Sequence, residues 1–379
     1  MADCKEGLVL RKIIFMPPFI PGIQLSRLFY EEAVRPVLTE YFSDLPHAAA
    51  LIGTGSDVLG FDSDMSTDHD WGPTVMLFLR DQDAYLADEI REVMRSHLPH
   101  VFYGYPVNST DAPNEPGTHI MQLTAEGPRN HRVFITTLRV FCWQYLAYDI
   151  DQPLDAADWL TFASQKLREL TAGAVHHDVV GDLTTLLERL TWYPHDVWLY
   201  LLASGWQRIG QEEHLMPRAG FVGDELGSAI IGSRLVRDVM NLCFLIERHY
   251  APYSKWFGTA FQQLDCAKVF SPMLWSAQRA PTWKEREDAL SEAYKYLAHL
   301  HNALAITEKL AETTSNFHNR PFKIIHGDIF AQALVARITD PEVKRIASRP
   351  LIGSIDQYSD STDIRSDSSW RSILRGLYV

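Results

Sequence analysis

The hydrophobic pattern divides the chain into a first part that mixes helices with strands and a second part dominated by helices. In the first part, short apolar runs predict buried strands, and apolar residues spaced by three and four predict amphipathic helices. This mixture indicates a compact α/β domain over residues 1–150. The predicted strands are residues 48–53, 74–79, 119–123 and 133–138, and the predicted helices are residues 24–42 and 83–98.

Beyond this point the pattern changes to long helices with few strand signals. Pro194 separates two of them, because proline disfavours helix in the residue before it. We therefore predict a helical bundle domain over residues 151–350 and a C-terminal strap or tail over residues 351–379. The fold class is α+β, with a small mixed-sheet domain followed by a mostly helical one. The predicted helices are residues 159–170, 182–190, 196–212, 226–250 and 282–312.

Length and charge narrow the classes of protein that fit this pattern. A chain of 379 residues exceeds what one hydrophobic core usually supports, which agrees with two domains. The formal net charge of −13 argues against a non-specific nucleic-acid binder, because such proteins neutralise phosphates with clustered lysines and arginines. A small-molecule partner such as a nucleotide fits better, and the oligomeric state stays open.

The sequence also favours a cytoplasmic location. No apolar run is long enough to span a bilayer, so no membrane partner is expected. Residues 1–19 lack the ordered regions of a signal peptide. Four scattered cysteines without a CxxC pair indicate thiols in a reducing compartment rather than disulfides. They are Cys4, Cys142, Cys243 and Cys266.

Residues with candidate chemistry concentrate between two of the predicted strands. Gly55 and Ser56 follow the first strand, and after eleven further residues Asp68 and Asp70 precede the second. Carboxylates two apart on an extended segment point to one face, where they can share a divalent cation. Backbone N–H groups and a hydroxyl can receive a phosphate. We therefore predict magnesium ligands at Asp68 and Asp70, which would be the catalytic residues, and a phosphate site at Gly55 and Ser56.

This combination predicts nucleotidyl transfer. That reaction requires a fixed triphosphate and compensation of the charge that develops on the transferring group, which one or two magnesium ions supply. The Gly-Ser motif or the Asp-x-Asp motif alone is usually a surface turn. Their occurrence in this order between two apolar strands is a more specific indication of a nucleotidyl-transfer site. Three further acids in the segment are expected to be solvated turn residues. They are Asp57, Asp62 and Asp64.

Several stretches resemble known families. The Gly55-Ser56 and Asp68-x-Asp70 block resembles the signature of the DNA polymerase β-like nucleotidyltransferase superfamily. The order of an α/β domain and a helical domain is similar to that of aminoglycoside and lincosamide nucleotidyltransferases. Four segments look like a family known as a domain of unknown function with a predicted nucleotidyltransferase fold, namely residues 53–73, 234–261, 320–330 and 353–363. The resemblance implies the fold more securely than a reaction.

One departure from the superfamily pattern affects the expected activity. Active members usually carry a third carboxylate on a later strand, whereas residues 133–138 contain no acid, and Thr136 and Thr137 are poor bases. Asp224 and Glu225 are candidates for this role, although an acid pair at a helix start is the commoner arrangement. A catalytically silent nucleotide-binding or interaction protein is therefore the alternative to an active enzyme.

Two cations of the second half are candidate contacts to the nucleotide. Lys255 lies in an aromatic stretch after Pro252, where rings could stack on a base and the lysine could contact a phosphate. The alternative is that the aromatic rings pack in the hydrophobic core while the lysine side chain extends to solvent. Arg237, on the helix predicted over residues 226–250, is the second candidate.

The leading prediction is an enzyme that transfers a nucleoside monophosphate from a nucleoside triphosphate, with ATP expected, to a small hydroxyl- or amino-bearing acceptor. Competing motifs are missing: the sequence has no HExxH, GxSxG or P-loop. A metal-dependent phosphohydrolase is a weaker option, because the acids cluster without histidine ligands. The triplet at residues 326–328 imitates a phosphotransferase loop but lacks its metal-binding asparagine. We predict a turn there, or a contact behind the site.

Overall fold

The computed structural model describes residues 18–113, 115 and 117–379. The N-terminal stretch in which no signal peptide is expected, up to residue 17, and Cys4 lie outside the described residues. The chain forms two compact units. The sheet unit comprises residues 18–51, 55–136 and 174–180, and the helical unit comprises residues 52–54, 137–173 and 181–379. The predicted α+β class is confirmed.

The secondary structure is as follows. The strands are β1 His47–Leu51, β2 Thr74–Leu79, β3 Val101–Phe102, β4 Tyr105–Pro106, β5 Ser109–Asp111, β6 His119–Met121, β7 Arg132–Thr137, β8 Ala174–Asp178, β9 Ser315–Asn316 and β10 Lys323–Ile324. The helices are α1 Gly22–Phe29, α2 Arg35–Tyr41, α3 Ala87–His97, α4 Leu138–Leu146, α5 Ala156–Thr161, α6 Ser164–Thr171, α7 Asp182–Arg189, α8 His195–Glu212, α9 Leu215–Phe221, α10 Glu225–Ile246, α11 Ser254–Phe261, α12 Ala267–Arg279, α13 Trp283–Ala303, α14 Gly327–Val335, α15 Pro341–Ala347, α16 Ile355–Tyr358, α17 Thr362–Ser366 and α18 Arg371–Leu374.

The sheet unit is built on four strands in the order β7-β2-β1-β8. β1 is antiparallel to both of its neighbours; Ala48 pairs with Phe78 of β2 and with Asp178 of β8. All five residues of β1 are buried. Apolar side chains of α1, α2 and α3, including Leu25, Phe29 and Ile90, form the core of this unit together with β2.

The units interleave along the chain, whereas the sequence predicted contiguous domains over residues 1–150 and 151–350. The difference has two sources: β8 pairs with β1 although it follows residue 150, and α4 belongs to the helical unit although it precedes that residue. The strap predicted over residues 351–379 forms short helices. Ile355 and Tyr378 within it are buried, so part of this segment belongs to the core of the helical unit.

Long helices form the core of the helical unit, where α8 packs against both α10 and α14. Trp206 of α8 stacks on Phe330 of α14, with ring centroids 4.1 Å apart. The two helices approach closely at Gly210 and Gly327: a Cβ added at Gly327 would lie 2.5 Å from the Trp206 carbonyl oxygen and 2.7 Å from the Gly210 nitrogen.

The His326-Gly327-Asp328 triplet begins α14: His326 immediately precedes the helix, and Gly327 and Asp328 are its first two residues. The prediction of a turn is therefore wrong for Gly327 and Asp328. His326 has a left-handed conformation with φ of 62°. The buried carboxylate of Glu213 accepts hydrogen bonds from the backbone N–H of Ile325 at 2.6 Å and of Gly327 at 3.1 Å. Burial raises the pKa of Glu213 to about 7, against the opposing effect of these hydrogen bonds. These hydrogen bonds give the triplet a structural role, because they hold the start of α14 against Glu213.

Two helices end earlier than their apolar patterns predict. α10 stops at Ile246 rather than at residue 250, and Arg248 just after it adopts φ of 57°. α13 stops at Ala303 rather than at residue 312, and Ala305 just after it adopts φ of 52°. Separately, none of the helices in the described part of the chain combines the length and hydrophobicity needed to span a bilayer.

The close contact between α8 and α14 predicts that Gly327→Ala destabilises the protein. The added methyl group has no space against the Trp206 backbone, so we expect a loss of about 1–3 kcal/mol, measured by urea denaturation. Gly258→Ala is the matched control, because a Cβ there meets nothing within 4 Å and alanine is the better helix former. Equal stability of Gly327→Ala and wild type would contradict this helix contact.

The raised pKa of Glu213 predicts that the free energy of unfolding depends on pH. Its folded-state pKa lies above the ordinary value, so the folded state binds the proton more tightly than the unfolded state. This contribution is present below about pH 4.5 and is lost as the pH rises through about 7, a change on the order of 3 kcal/mol. Glu213→Gln should show a flatter stability profile than wild type between pH 5 and 8 in denaturation experiments. Parallel profiles would show that Glu213 does not titrate in this range.

Candidate functional site

The candidate site is the acidic loop, residues 55–73, which lies between β1 and β2. These strands are antiparallel neighbours, so the chain leaves the sheet and re-enters it at the same end. Asp68 ends a 3₁₀ turn over Asp64–Asp68, and Asp70 has φ of 48°. The two aspartates therefore do not lie on an extended strand as predicted. β2 starts only at Thr74, because the left-handed conformation at Asp70 interrupts extension.

Each aspartate uses one carboxylate oxygen in contacts within the protein. Asp68 Oδ1 lies 2.8 Å from His69 Nδ1. Asp70 Oδ1 accepts hydrogen bonds from the backbone N–H of His119 and contacts its Nδ1, both at 3.2 Å, and lies 3.6 Å from a guanidinium nitrogen of Arg132. Within the described residues, the second oxygen of each carboxylate contacts no hydrogen-bond donor or cation. Both side chains are substantially exposed, so these oxygens are accessible to a cation.

The turn at Gly55 and Ser56 presents donors without partners. The carbonyl oxygen of Gly55 accepts from Leu59, and that of Ser56 accepts from Phe61 at 2.8 Å. Neither backbone N–H, nor the Ser56 hydroxyl, donates a hydrogen bond to any residue that the structure describes. A Cβ at Gly55 would overlap Asp57 Oδ1, so a side chain at this position would require the Asp57 carboxylate to move. The turn is therefore held by its carbonyl groups and leaves its donors available.

Two of the acids expected to be solvated turn residues instead hold the acidic loop together. Asp62 Oδ2 accepts hydrogen bonds from the backbone N–H of Gly22 at 2.7 Å and from Trp71 Nε1 at 3.0 Å. Asp57 Oδ1 accepts a hydrogen bond from the Val58 N–H at 3.0 Å. Burial raises the pKa of Asp57 to about 6, and Asp62 adds to this effect. Asp64 is exposed, as expected. The prediction was wrong for Asp57 and Asp62 because their packing partners include Gly22, which is distant in sequence.

The strand on which a third carboxylate was expected, β7, begins with an arginine. β7 lies beside β2 and carries no acid. Its first residue, Arg132, donates to Thr74 Oγ1 and to the Asp70 carbonyl oxygen, each at 2.9 Å. Burial lowers the pKa of Arg132, and the Asp70 carboxylate opposes this effect. Arg132 therefore fixes the backbone between Asp70 and β2.

The other candidate acids have structural roles. Asp224 accepts a hydrogen bond from the Gly227 N–H at 2.7 Å and caps α10, and Glu225 accepts one from the Trp283 N–H at 3.1 Å. Over the described ranges there is no cluster of three or more His, Cys, Asp or Glu that could hold a metal ion. Few protein carboxylates would suffice for magnesium at the acidic loop, because this ion retains water and binds phosphate oxygens.

The two cations predicted to contact a nucleotide lie in the helical unit. Arg237 lines a cavity of about 600 Å³, and one of its guanidinium nitrogens lies 2.5 Å from Asp360 Oδ1. Lys255 is exposed, and its ammonium group lies 5.0 Å from the centroid of the Trp256 ring. The role of either residue in nucleotide binding stays a prediction.

Sequence reasoning missed four charged residues that line the same cavity. Lys166 and Glu169 come from α6, where their helical spacing predicts only an ordinary amphipathic helix. Asp356 and Arg365 come from the C-terminal segment. The one available signal was the family resemblance of residues 353–363, which contain Asp356 and Asp360.

Comparisons with known proteins give limited matches. A search of curated proteins finds none that is similar to this chain. One solved structure, that of a nucleotidyltransferase-like protein from Exiguobacterium sibiricum 255-15, is similar with a TM-score of 0.33 and 11% identity, over 92% of this chain and 89% of that chain.

A family model gives a more specific match. Residues 159–257 match the model described as a domain of unknown function (DUF4037). The matched segment covers about a quarter of the chain and lies within the helical unit and β8. It overlaps residues 234–261, one of the segments that carry the resemblance to a family of unknown function. The chain is therefore similar to this family over that segment.

Proposed function

We propose that the protein is a metal-dependent nucleotidyltransferase that moves a nucleoside monophosphate from a nucleoside triphosphate, with ATP expected, to a small hydroxyl- or amino-bearing acceptor. One observation carries this proposal: the acidic loop combines unpartnered donors at Gly55 and Ser56 with unpartnered carboxylate oxygens of Asp68 and Asp70. Donors suit the phosphate oxygens of the triphosphate, and carboxylates suit a magnesium ion bound to those oxygens.

Each residue has a defined task in this proposal. The N–H groups of Gly55 and Ser56 and the Ser56 hydroxyl bind phosphate oxygens, while Asp68 and Asp70 bind the cation through their Oδ2 atoms. Magnesium, when bound, stabilises the negative charge that develops during transfer. Arg132 holds the Asp70 backbone, so the Asp70 carboxylate is positioned before the nucleotide arrives.

The second candidate function is nucleotide binding without transfer. The observation that favours it is the composition of β7, which carries Arg132 and no acid at the edge where a base for the acceptor hydroxyl was expected. The Arg132 guanidinium also neutralises part of the charge of Asp70. Such a protein would bind the triphosphate and release no pyrophosphate.

The nucleotide site predicts that ATP binding with magnesium depends on the aspartate pair. The double variant Asp68→Asn plus Asp70→Asn should bind MgATP at least about tenfold more weakly than wild type in isothermal titration, since it removes the charges that face the cation. Asp64→Asn, an exposed acid of the same loop, is the matched control and should bind like wild type. Equal affinity of the double variant and wild type would remove the proposed site.

Pyrophosphate release separates transfer from silent binding. Wild type incubated with ATP, magnesium and a panel of hydroxyl- and amino-bearing acceptors should release pyrophosphate in proportion to a nucleotidylated product, detected by mass spectrometry. MgATP binding without any product across the panel would instead favour the silent protein.

A further inference from the structure

The cavity of the helical unit is a second place where a ligand can bind. Its volume of about 600 Å³ lies within the range of small-molecule sites. Every residue that lines it belongs to the helical unit, and none belongs to the acidic loop. The lining consists of side chains that donate or accept hydrogen bonds, of two aromatic rings, and of Ala251 and Pro252.

The charges on the cavity wall are balanced in pairs. Arg237 pairs with Asp360 at 2.5 Å, and Arg365 Nε lies 3.5 Å from Asp356 Oδ1. A third couple comes from α6, where Lys166 and Glu169 interact electrostatically and are both buried. Three cations thus face three carboxylates, so the wall presents donors and acceptors side by side without a net charge.

The pair of Asp356 and Arg365 lacks a close hydrogen bond between its partners. Asp356 Oδ2 accepts a hydrogen bond from the Ser164 N–H at 2.8 Å, whereas Oδ1 accepts none. Arg365 Nε, 3.5 Å from Oδ1, likewise donates no hydrogen bond within the described chain. Both atoms are buried and face each other, so their charges compensate within the couple.

A hydroxyl suits a wall that carries cations and carboxylates side by side. It donates through its hydrogen and accepts through its oxygen. A phosphate at neutral pH mainly accepts, and the three carboxylates of the wall would oppose it. An ammonium only donates, and the three cations of the wall would oppose it. The balanced charge of the wall therefore favours hydroxyl groups over either type of ion.

The rest of the lining fits a ring that carries several hydroxyls. Tyr253 and Phe257, four residues apart around the start of α11, form an apolar wall on which the C–H face of a saturated ring can pack. The side-chain amide of Asn241 has no hydrogen-bond partner within the described residues and offers a donor and an acceptor to neighbouring hydroxyls.

We infer that this cavity binds an uncharged, polyhydroxylated ring compound of the sugar or cyclitol class. The hydroxyls bind to the carboxylate–cation couples, and the ring packs on Tyr253 and Phe257. This inference goes beyond the proposed nucleotidyl transfer and holds whether or not the acidic loop binds ATP. Arg237, predicted from the sequence to contact the nucleotide, binds the polyol together with Asp360.

The test uses the full-length protein and saturation-transfer NMR with D-glucose, N-acetyl-D-glucosamine and myo-inositol as separate probes. At least one probe should bind, and its affinity should fall about tenfold or more in Asp360→Asn and in Asn241→Ala. Asp363→Asn, an exposed acid of the same segment that does not line the cavity, should bind like wild type. The thermal midpoint of each variant verifies that it is folded.

Several results would overturn the inference. They are the absence of binding for all three probes, binding that is unchanged in both cavity variants, and displacement of the bound probe by inorganic phosphate or by adenosine. Because MgATP binding is measured separately on the aspartate variants of the acidic loop, failure of this inference is distinguishable from failure of the proposed transferase.

Discussion

The central position of β1 is the constraint on which the sheet unit depends. Its five residues are buried, and both of its edges are hydrogen bonded, by β2 on one side and β8 on the other. Both partners are antiparallel, so the chain after Leu51 must leave the sheet at the end where β2 begins. That requirement places the acidic loop at one end of the two central strands, and its turn and its aspartates belong to the same loop.

The local sequence pattern predicted most helices and strands in which apolar residues recur at regular spacing. β2 was predicted with its observed bounds, and the long helices α8, α10 and α13 were predicted to within a few residues except at the end of α10 and the end of α13. β8 was missed because Ala174–Asp178 contains two histidines and an aspartate and lacks apolar alternation. Its extended conformation is imposed by pairing with β1, which sequence periodicity does not show.

The candidate site was predictable in its residue types but not in its geometry. The spacing of Gly55, Ser56, Asp68 and Asp70 located the loop, whereas the left-handed backbone at Asp70 and its contact with Arg132 arise from neighbours distant in sequence. The same limit applies to Asp356 and Arg365. A Ser- and Asp-rich tail indicates a surface segment, yet burial of its Asp356 against Ser164 makes it part of a cavity wall.

The interleaving of the two units has a consequence for dissecting the molecule. β8 returns to the sheet from within the sequence of the helical unit, so no single cut of the chain separates the units. A fragment that stops at residue 136 would leave one side of β1 unpaired, and an open edge of small apolar residues invites association with other chains. Excising the sheet unit in soluble form would require residues 174–180 to be rejoined through an artificial linker.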